Sequence, residues 1–280
     1  MKTRWNLAAS CAAIVASAFL AKAFAGGNPE PVTSVNLAKT WESAIEEAKS
    51  LNVPVVVHSH GFYCGPCWGM HSAVMCNKKY IEFAGENTVE VISLDRLDEG
   101  IEKKDKRAET YEAKVNGEKV QYMVEFPGLT SEQMLALHKS KASSFNDTGK
   151  IPYTCLVDPW TETQITHWSG GQSAQTIIEA ITEARKTLTK DHGKGVARKD
   201  IRVLTDAEED AAAKVAKGDF AGGLDLLAKV NTKAEKWPDS LKERLTASRA
   251  KIVEQAEKAL AGKLKGTGLE AKAKEMLASL

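Results

Sequence analysis

Val53-Pro54-Val55-Val56-Val57-His58-Ser59-His60-Gly61-Phe62-Tyr63-Cys64-Gly65-Pro66-Cys67 is the stretch that decides the fold. Its apolar run, Val53 to Val57, reads as a buried strand, and the residues from Cys64 onward read as the start of a helix. Two thiols at this spacing can close a small-ring disulfide. A helix N-terminus beside them stabilises thiolate through its free N–H groups and dipole, lowering a cysteine pKa from about 8.5 towards about 7. Pro66 costs little in a first turn, where its missing N–H would have had no intrahelical partner. The pattern points to thiol-disulfide exchange with Cys64 as the nucleophile. Two other uses of a CxxC stay open. His58, His60 and His71 flank the motif and could complete a mixed Cys/His metal site, although no second CxxC or spaced His pair lies downstream. A purely structural bridge is the other, but structural bridges usually close longer loops.

The ends of the chain bear on its compartment. Residues 1–25 read as a cleaved secretory signal: Lys2 and Arg4 form the basic region, Leu7 to Leu20 the apolar region, and Ala23-Phe24-Ala25 the cleavage site. A periplasmic or secreted location is expected. Four cysteines then remain, Cys64, Cys67, Cys76 and Cys155, an even number in a compartment that permits disulfides. Cys76 and Cys155 are either bridged to each other or two separate buried thiols. The 38 basic and 37 acidic residues balance, so net charge gives no reason to expect a nucleic-acid partner.

Working outward, Trp41, Ile45, Ala48 and Leu51 recur at helical spacing, and Asn52-Val53-Pro54 ends that helix before the strand. A helix is expected from Cys64 to about Phe83, and a strand buried on both faces over Thr88 to Asp95. Residues 96–150 are richer in charge; Asn116-Gly117 signals a hairpin, and Thr130-Ser131-Glu132-Gln133 a capping box opening a helix to about Ser144. Tyr153 to Asp158 and Gln164 to Trp168 read as two strands, with an amphipathic helix after them over Ser173 to Leu188. A solvated linker is expected over residues 190–204. Composition then shifts to Ala, Leu, Lys and Glu, which predicts three or four helices over 205–280 with breaks near Gly218-Asp219, Trp237-Pro238 and Gly266-Thr267-Gly268. They read as a small helical bundle or as one tetratricopeptide-type hairpin, which alone makes no array.

In its order of strand, Cys64-Gly65-Pro66-Cys67, helix, strand, insertion, Ile151-Pro152, strand, strand, helix, the chain resembles the thioredoxin superfamily over about residues 36–188. The resemblance implies an α/β thioredoxin fold over residues 26–189, with an insertion at about 96–150 before the cis-proline strand and a small all-α domain after it. It makes Cys64 the exposed attacking cysteine and Cys67 the buried resolving one, joined in a redox-active disulfide. It makes Pro152 the cis proline facing the site, and it lines a substrate groove with Tyr63, Trp68, Ile151 and the Ser169-Gly170-Gly171 loop. The match departs from the family at three positions. His58 stands where a buried acid assists the resolving thiol, Tyr63 stands where tryptophan is usual, and no lysine in Val89 to Asp95 replaces the acid's partner. His58 is then either a proton relay for Cys67 or a hydrogen-bonded core histidine.

Together these features predict an exported thiol-disulfide oxidoreductase acting on protein thiols and disulfides. Gly65-Pro66 between the cysteines and Ile151 before Pro152 resemble thioredoxin, and that resemblance favours a reductant, which in an oxidising compartment needs an electron donor, expected to be a membrane protein. No cofactor and no resident metal is expected, and the C-terminal helices are expected to engage a partner. The alternative is a non-enzymatic thioredoxin-fold binding module, such as a copper or zinc carrier using the CxxC and a nearby histidine.

Overall fold

A computed structural model describes residues 28–115, 118–235, 237 and 239–264. The chain divides into two compact units, Met1–Gly195 and Val196–Leu280. The expected signal segment, the Asn116-Gly117 turn and the Gly266-Thr267-Gly268 break lie outside the described residues.

The first unit is a mixed α/β domain. Helix α1, Trp41–Leu51, starts at Thr40, whose hydroxyl accepts from the Ser43 N–H while the Ser43 hydroxyl caps in return. It ends at Asn52, which takes a left-handed conformation (φ 47°) and donates its side-chain amide to the carbonyls of Leu188 (3.0 Å) and Gly193 (2.5 Å). Strand β1, Val55–Gly61, is buried at every position and runs beyond the apolar residues through His58, Ser59 and His60. It pairs in parallel with β2, Val89–Asp95, and antiparallel with β5, Tyr153–Asp158, which in turn pairs antiparallel with β6, Thr163–Ser169. The sheet order is β2-β1-β5-β6. Burial of β2 on both faces follows from helices lying on each side of the sheet. Strands β3, Tyr111–Val115, and β4, Glu118–Tyr122, form a separate antiparallel pair.

The crossover between β1 and β2 differs from the expected single helix. It comprises α2 (Gly65–Met70), a π-helical turn (His71–Met75), and then α3 (Lys78–Asn87). The interruption has a local cause: the Asn77 side chain accepts from the Tyr80 N–H and starts a new helix, as Asn does at N-caps. Helix α4, Leu97–Glu102, and a 3-10 turn, Lys106–Ala108, come after β2. Helix α5, Ser131–His138, begins at the expected capping box of Thr130 and Gln133 but stops before Ser144, giving way to a 3-10 turn over Lys141–Phe145. Helix α6 spans Ala174–His192, capped by Ser173.

The two faces of the sheet can be told apart by alternation along the strands. His58 and Thr154 are cross-strand partners, and the Thr154 hydroxyl lies 3.9 Å from Met70 Sδ, so α2 covers their face. On the opposite face Ser93 meets His138 of α5 at 3.0 Å. Cys155, next to Thr154, therefore points away from the helix that leads to Cys76, which is why both are free thiols and no bridge joins them. Burial pushes the Cys155 thiol up to about 12 and, with Glu125 nearby, the Cys76 thiol up to about 11, so neither is a ready nucleophile.

The chain between the units is shorter than the expected 190–204 linker, since α6 continues to His192 and α7 starts at Arg198. The second unit contains α7 (Arg198–Val215), α8 (Phe220–Ala234) and α9 (Asp239–Leu264). Leu204, Ala211, Leu227, Val230, Leu241, Leu245 and Ile252 close its core. Gly223 permits the close approach of α7 and α8: a Cβ there would lie 3.2 Å from the Ala211 carbonyl oxygen. Among the described residues no helix is long and apolar enough to cross a membrane.

Candidate active site

The site begins where β1 runs into α2. Cys64 is extended at the N-cap, and its sulfur accepts from the Cys67 N–H at 3.2 Å. Its carbonyl accepts from the N–H groups of Cys67 (3.1 Å) and Trp68 (3.2 Å), which starts the helix. Cys64 and Cys67 are disulfide-bonded, with Cα atoms 5.2 Å apart. Their accessibility is unequal: Cys64 is half-buried, whereas Cys67 is 1% exposed.

The Ile151-Pro152 peptide is cis, and it sets Ile151 against the end of β1. Gly61 explains how closely: a Cβ there would sit 2.5 Å from Ile151 Cδ1 and 3.4 Å from Cys64 Cβ, so the absent side chain makes room for Ile151. Gly170 has a positive φ (91°) and donates its N–H to the Pro152 carbonyl at 2.8 Å, which ties the Ser169-Gly170-Gly171 loop to the same edge. Tyr63 and Ile151 remain 41% and 38% exposed beside the disulfide. The structure thus brings Tyr63, Cys64, Ile151, Pro152 and Gly170 together. Trp68 belongs to a different layer. Its indole N–H donates to the Phe62 carbonyl at 2.7 Å, and its ring packs on His71 and Phe126, so it supports the motif from within.

Residues 96–150 contribute cations that the motif alone does not signal. The Arg107 guanidinium lies 4.7 Å from the Phe62 ring centre and 5.4 Å from that of Trp68, held by Asp105 at 2.8 and 3.2 Å. Lys103 Nζ sits 4.7 Å over the Tyr63 ring. Gly100 fits directly against Phe62, where a Cβ would be 2.6 Å from the ring.

His58 and His60 on β1 and His71 at the start of the π-helical turn are all buried, and their partners differ. His58 Nε2 is 2.8 Å from Glu90 Oε2, and His58 Nδ1 faces the Thr154 hydroxyl at 3.3 Å, so both ring nitrogens are engaged. The other Glu90 oxygen accepts from Tyr80 (3.1 Å) and Thr88 (2.5 Å). Burial and the adjacent carboxylate push the Tyr80 phenol well above its usual range, which keeps it a donor. These are the partners of a hydrogen-bonded core histidine. His58→Gln is expected to cost about 3 kcal/mol of stability, because it strips a buried carboxylate of its closest partner. Urea denaturation would measure this; a loss below about 0.5 kcal/mol would contradict it.

Glu90 was not legible as a partner, although a lone acid within Val89-Glu90-Val91-Ile92 was its signal: on a strand buried on both faces, it needs a buried counterpart. His60 and His71 are buried too, yet His60 Nε2 and both nitrogens of His71 lack hydrogen-bond partners. Burial, with repulsion from His58, pushes His71 down to about 4, and burial with His58 and His71 lowers His60 well below 6.5. Among the described residues no three His, Cys, Asp or Glu side chains converge in an arrangement fit for a metal ion. In the bonded form Cys64 and Cys67 are not thiolate ligands.

No protein-family model matches the chain. No curated protein matches it either. A solved structure described as a DsbH oxidoreductase is similar at 15% identity and a TM-score of 0.35, over 58% of this chain and 92% of that one.

Proposed function

We propose that the chain is an exported thiol-disulfide oxidoreductase of thioredoxin fold that reduces disulfides of protein substrates through Cys64 and Cys67. The observation that carries the proposal is the unequal burial of the bonded pair beside Tyr63, Ile151 and Pro152. In the reduced form Cys64 thiolate attacks one sulfur of a substrate disulfide, forming a mixed disulfide and expelling the first substrate thiolate. Cys67 thiolate then attacks Cys64 Sγ, re-forming the Cys64–Cys67 bond and releasing the second. Two electrons pass from the dithiol to the substrate, and a donor dithiol on a membrane partner returns them.

Tyr63, Ile151, Pro152 and Gly170 provide the surface for an extended substrate segment, with Trp68 holding Tyr63's loop from below. His58 has a narrower part, supporting the face under Cys67 with Glu90 and Thr154. The helices of the second unit recruit a partner, and the short connection after Gly195 tethers them to the redox domain.

Insulin reduction with a dithiol donor tests the reading. The full chain and a chain ending at Gly195 are expected to reduce insulin at rates within about threefold of each other, while the shorter one loses action on its physiological partner. An inactive full chain whose two thiols are instead protected stoichiometrically by Cu(I) or Zn(II) would make it a metal carrier.

A further inference from the structure

The resolving step needs a base, because Cys67 must lose its proton before it attacks Cys64. His58, which stands where the resemblance would put a proton-relaying acid, has no free nitrogen: Glu90 holds one and Thr154 faces the other. His71 has two. It is 1% exposed, and neither ring nitrogen has a hydrogen-bond partner among the described groups. Buried unpartnered nitrogens are costly and call for a role.

The position of His71 suits one. The His71 N–H bonds to the Cys67 carbonyl, so the two residues are one helical turn apart on one face. Side chains on a helix lean towards its N-terminus, which carries the imidazole over the turn that contains Cys67. His71 also opens the π-helical turn, a feature frequent at functional sites. Trp68 (5.8 Å between ring centres) and Phe126 (5.0 Å) flank the ring and exclude water. Glu125, from the segment after β4, is half-buried with Oε2 3.8 Å from His71 Nε2.

We propose that His71, oriented by Glu125, accepts the Cys67 proton during resolution of the mixed disulfide. The inference rests on the oxidoreductase function proposed for Cys64 and Cys67. The proton moves from Cys67 Sγ to an imidazole nitrogen, the new thiolate forms the Cys64–Cys67 bond, and the imidazolium passes the proton to the departing substrate thiolate. No further oxidant or base is required. Charged and titratable groups face His71 from each side: His58 and His60 from β1, and Glu125, itself near Arg107, from the segment after β4. Burial and His58 lower His71 to about 4, so its ring is neutral at neutral pH and has a lone pair with which to accept the proton.

The test is single-turnover reaction of the reduced protein with 5,5′-dithiobis(2-nitrobenzoate), monitored from pH 5 to 9. The first nitrothiobenzoate released reports attack by Cys64, and the second reports resolution by Cys67. His71→Gln is expected to slow the second release at least about tenfold at pH 7 and to change its pH profile, leaving the first within about twofold. Glu125→Gln, at a half-buried position, should displace the profile of the second release in the same assay and serves if His71→Gln does not fold. Unchanged second-release profiles in the folded variants, or equal slowing of both releases, would overturn the inference. A wild-type protein that releases no nitrothiobenzoate would instead overturn the oxidoreductase reading itself.

Discussion

Cys67→Ala is expected to accumulate mixed disulfides with exported proteins, and Cys64→Ala to accumulate none. The difference should be large, about 100-fold or more in trapped adduct, because the proposed mechanism gives the two thiols different steps. Cys64 is half-buried at the mouth of the site, with its sulfur at the start of α2, so it can reach a substrate sulfur. Cys67 is 1% exposed and can reach only Cys64. Removing Cys67 leaves attack intact and abolishes release, whereas removing Cys64 leaves a thiol that no protein substrate can approach. Non-reducing gels with antibody detection read the outcome; equal trapping by both variants would contradict the assignment.

The second large effect is loss of stability in acid. His71 is neutral when folded, with its pKa lowered to about 4, while in the unfolded chain it titrates near 6.5. Below pH 6.5 the unfolded state binds the proton first, so stability present above that pH is lost as pH falls towards 4. For His71 the loss amounts to about 3 kcal/mol by pH 4, a sizeable part of an ordinary domain's stability. His60, also lowered, adds to it in the same direction. Carboxylates contribute to acid unfolding as well, so the informative quantity is the difference between proteins. Denaturant titrations of wild type and His71→Gln should show wild type losing about 3 kcal/mol more between pH 7 and pH 4. Parallel pH dependences would mean that folding does not lower the pKa of the ring.

How much of this was legible in the sequence varied with the range of the interaction involved. The Trp41–Leu51 helix, the Thr130 cap, the Val55 start of β1, the Tyr153–Asp158 strand and the Ser173 helix start are set by local patterns, and the structure has them where local rules put them. The extension of β1 through His58, Ser59 and His60 was not, because polar residues enter a buried strand only when distant partners receive them. Glu90 and Thr154 are such partners for His58, 32 and 96 residues away. The break of the long helix at Asn77 turned on one capping side chain within an otherwise helical pattern. In the site, the two cysteines were readable from their spacing and Pro152 only through the family resemblance, whereas the cations over Phe62, Tyr63 and Trp68 come from charged residues beyond β2 that resemble an ordinary solvated stretch. His71 drew notice only as a possible metal ligand; its burial, its unpartnered nitrogens and Glu125 nearby are properties of the folded chain.

The central claim is that Cys64 and Cys67 form an exchanging redox couple rather than a fixed bridge. Its most direct test is the equilibrium of the pair in buffers of graded thiol-disulfide ratio, read by alkylation and mass shift of a Cys76→Ser, Cys155→Ala protein. A reversible two-electron transition near about −270 mV is predicted, the range of a reductant. A pair that stays bonded at poises below about −300 mV, as structural bridges do, would contradict the account.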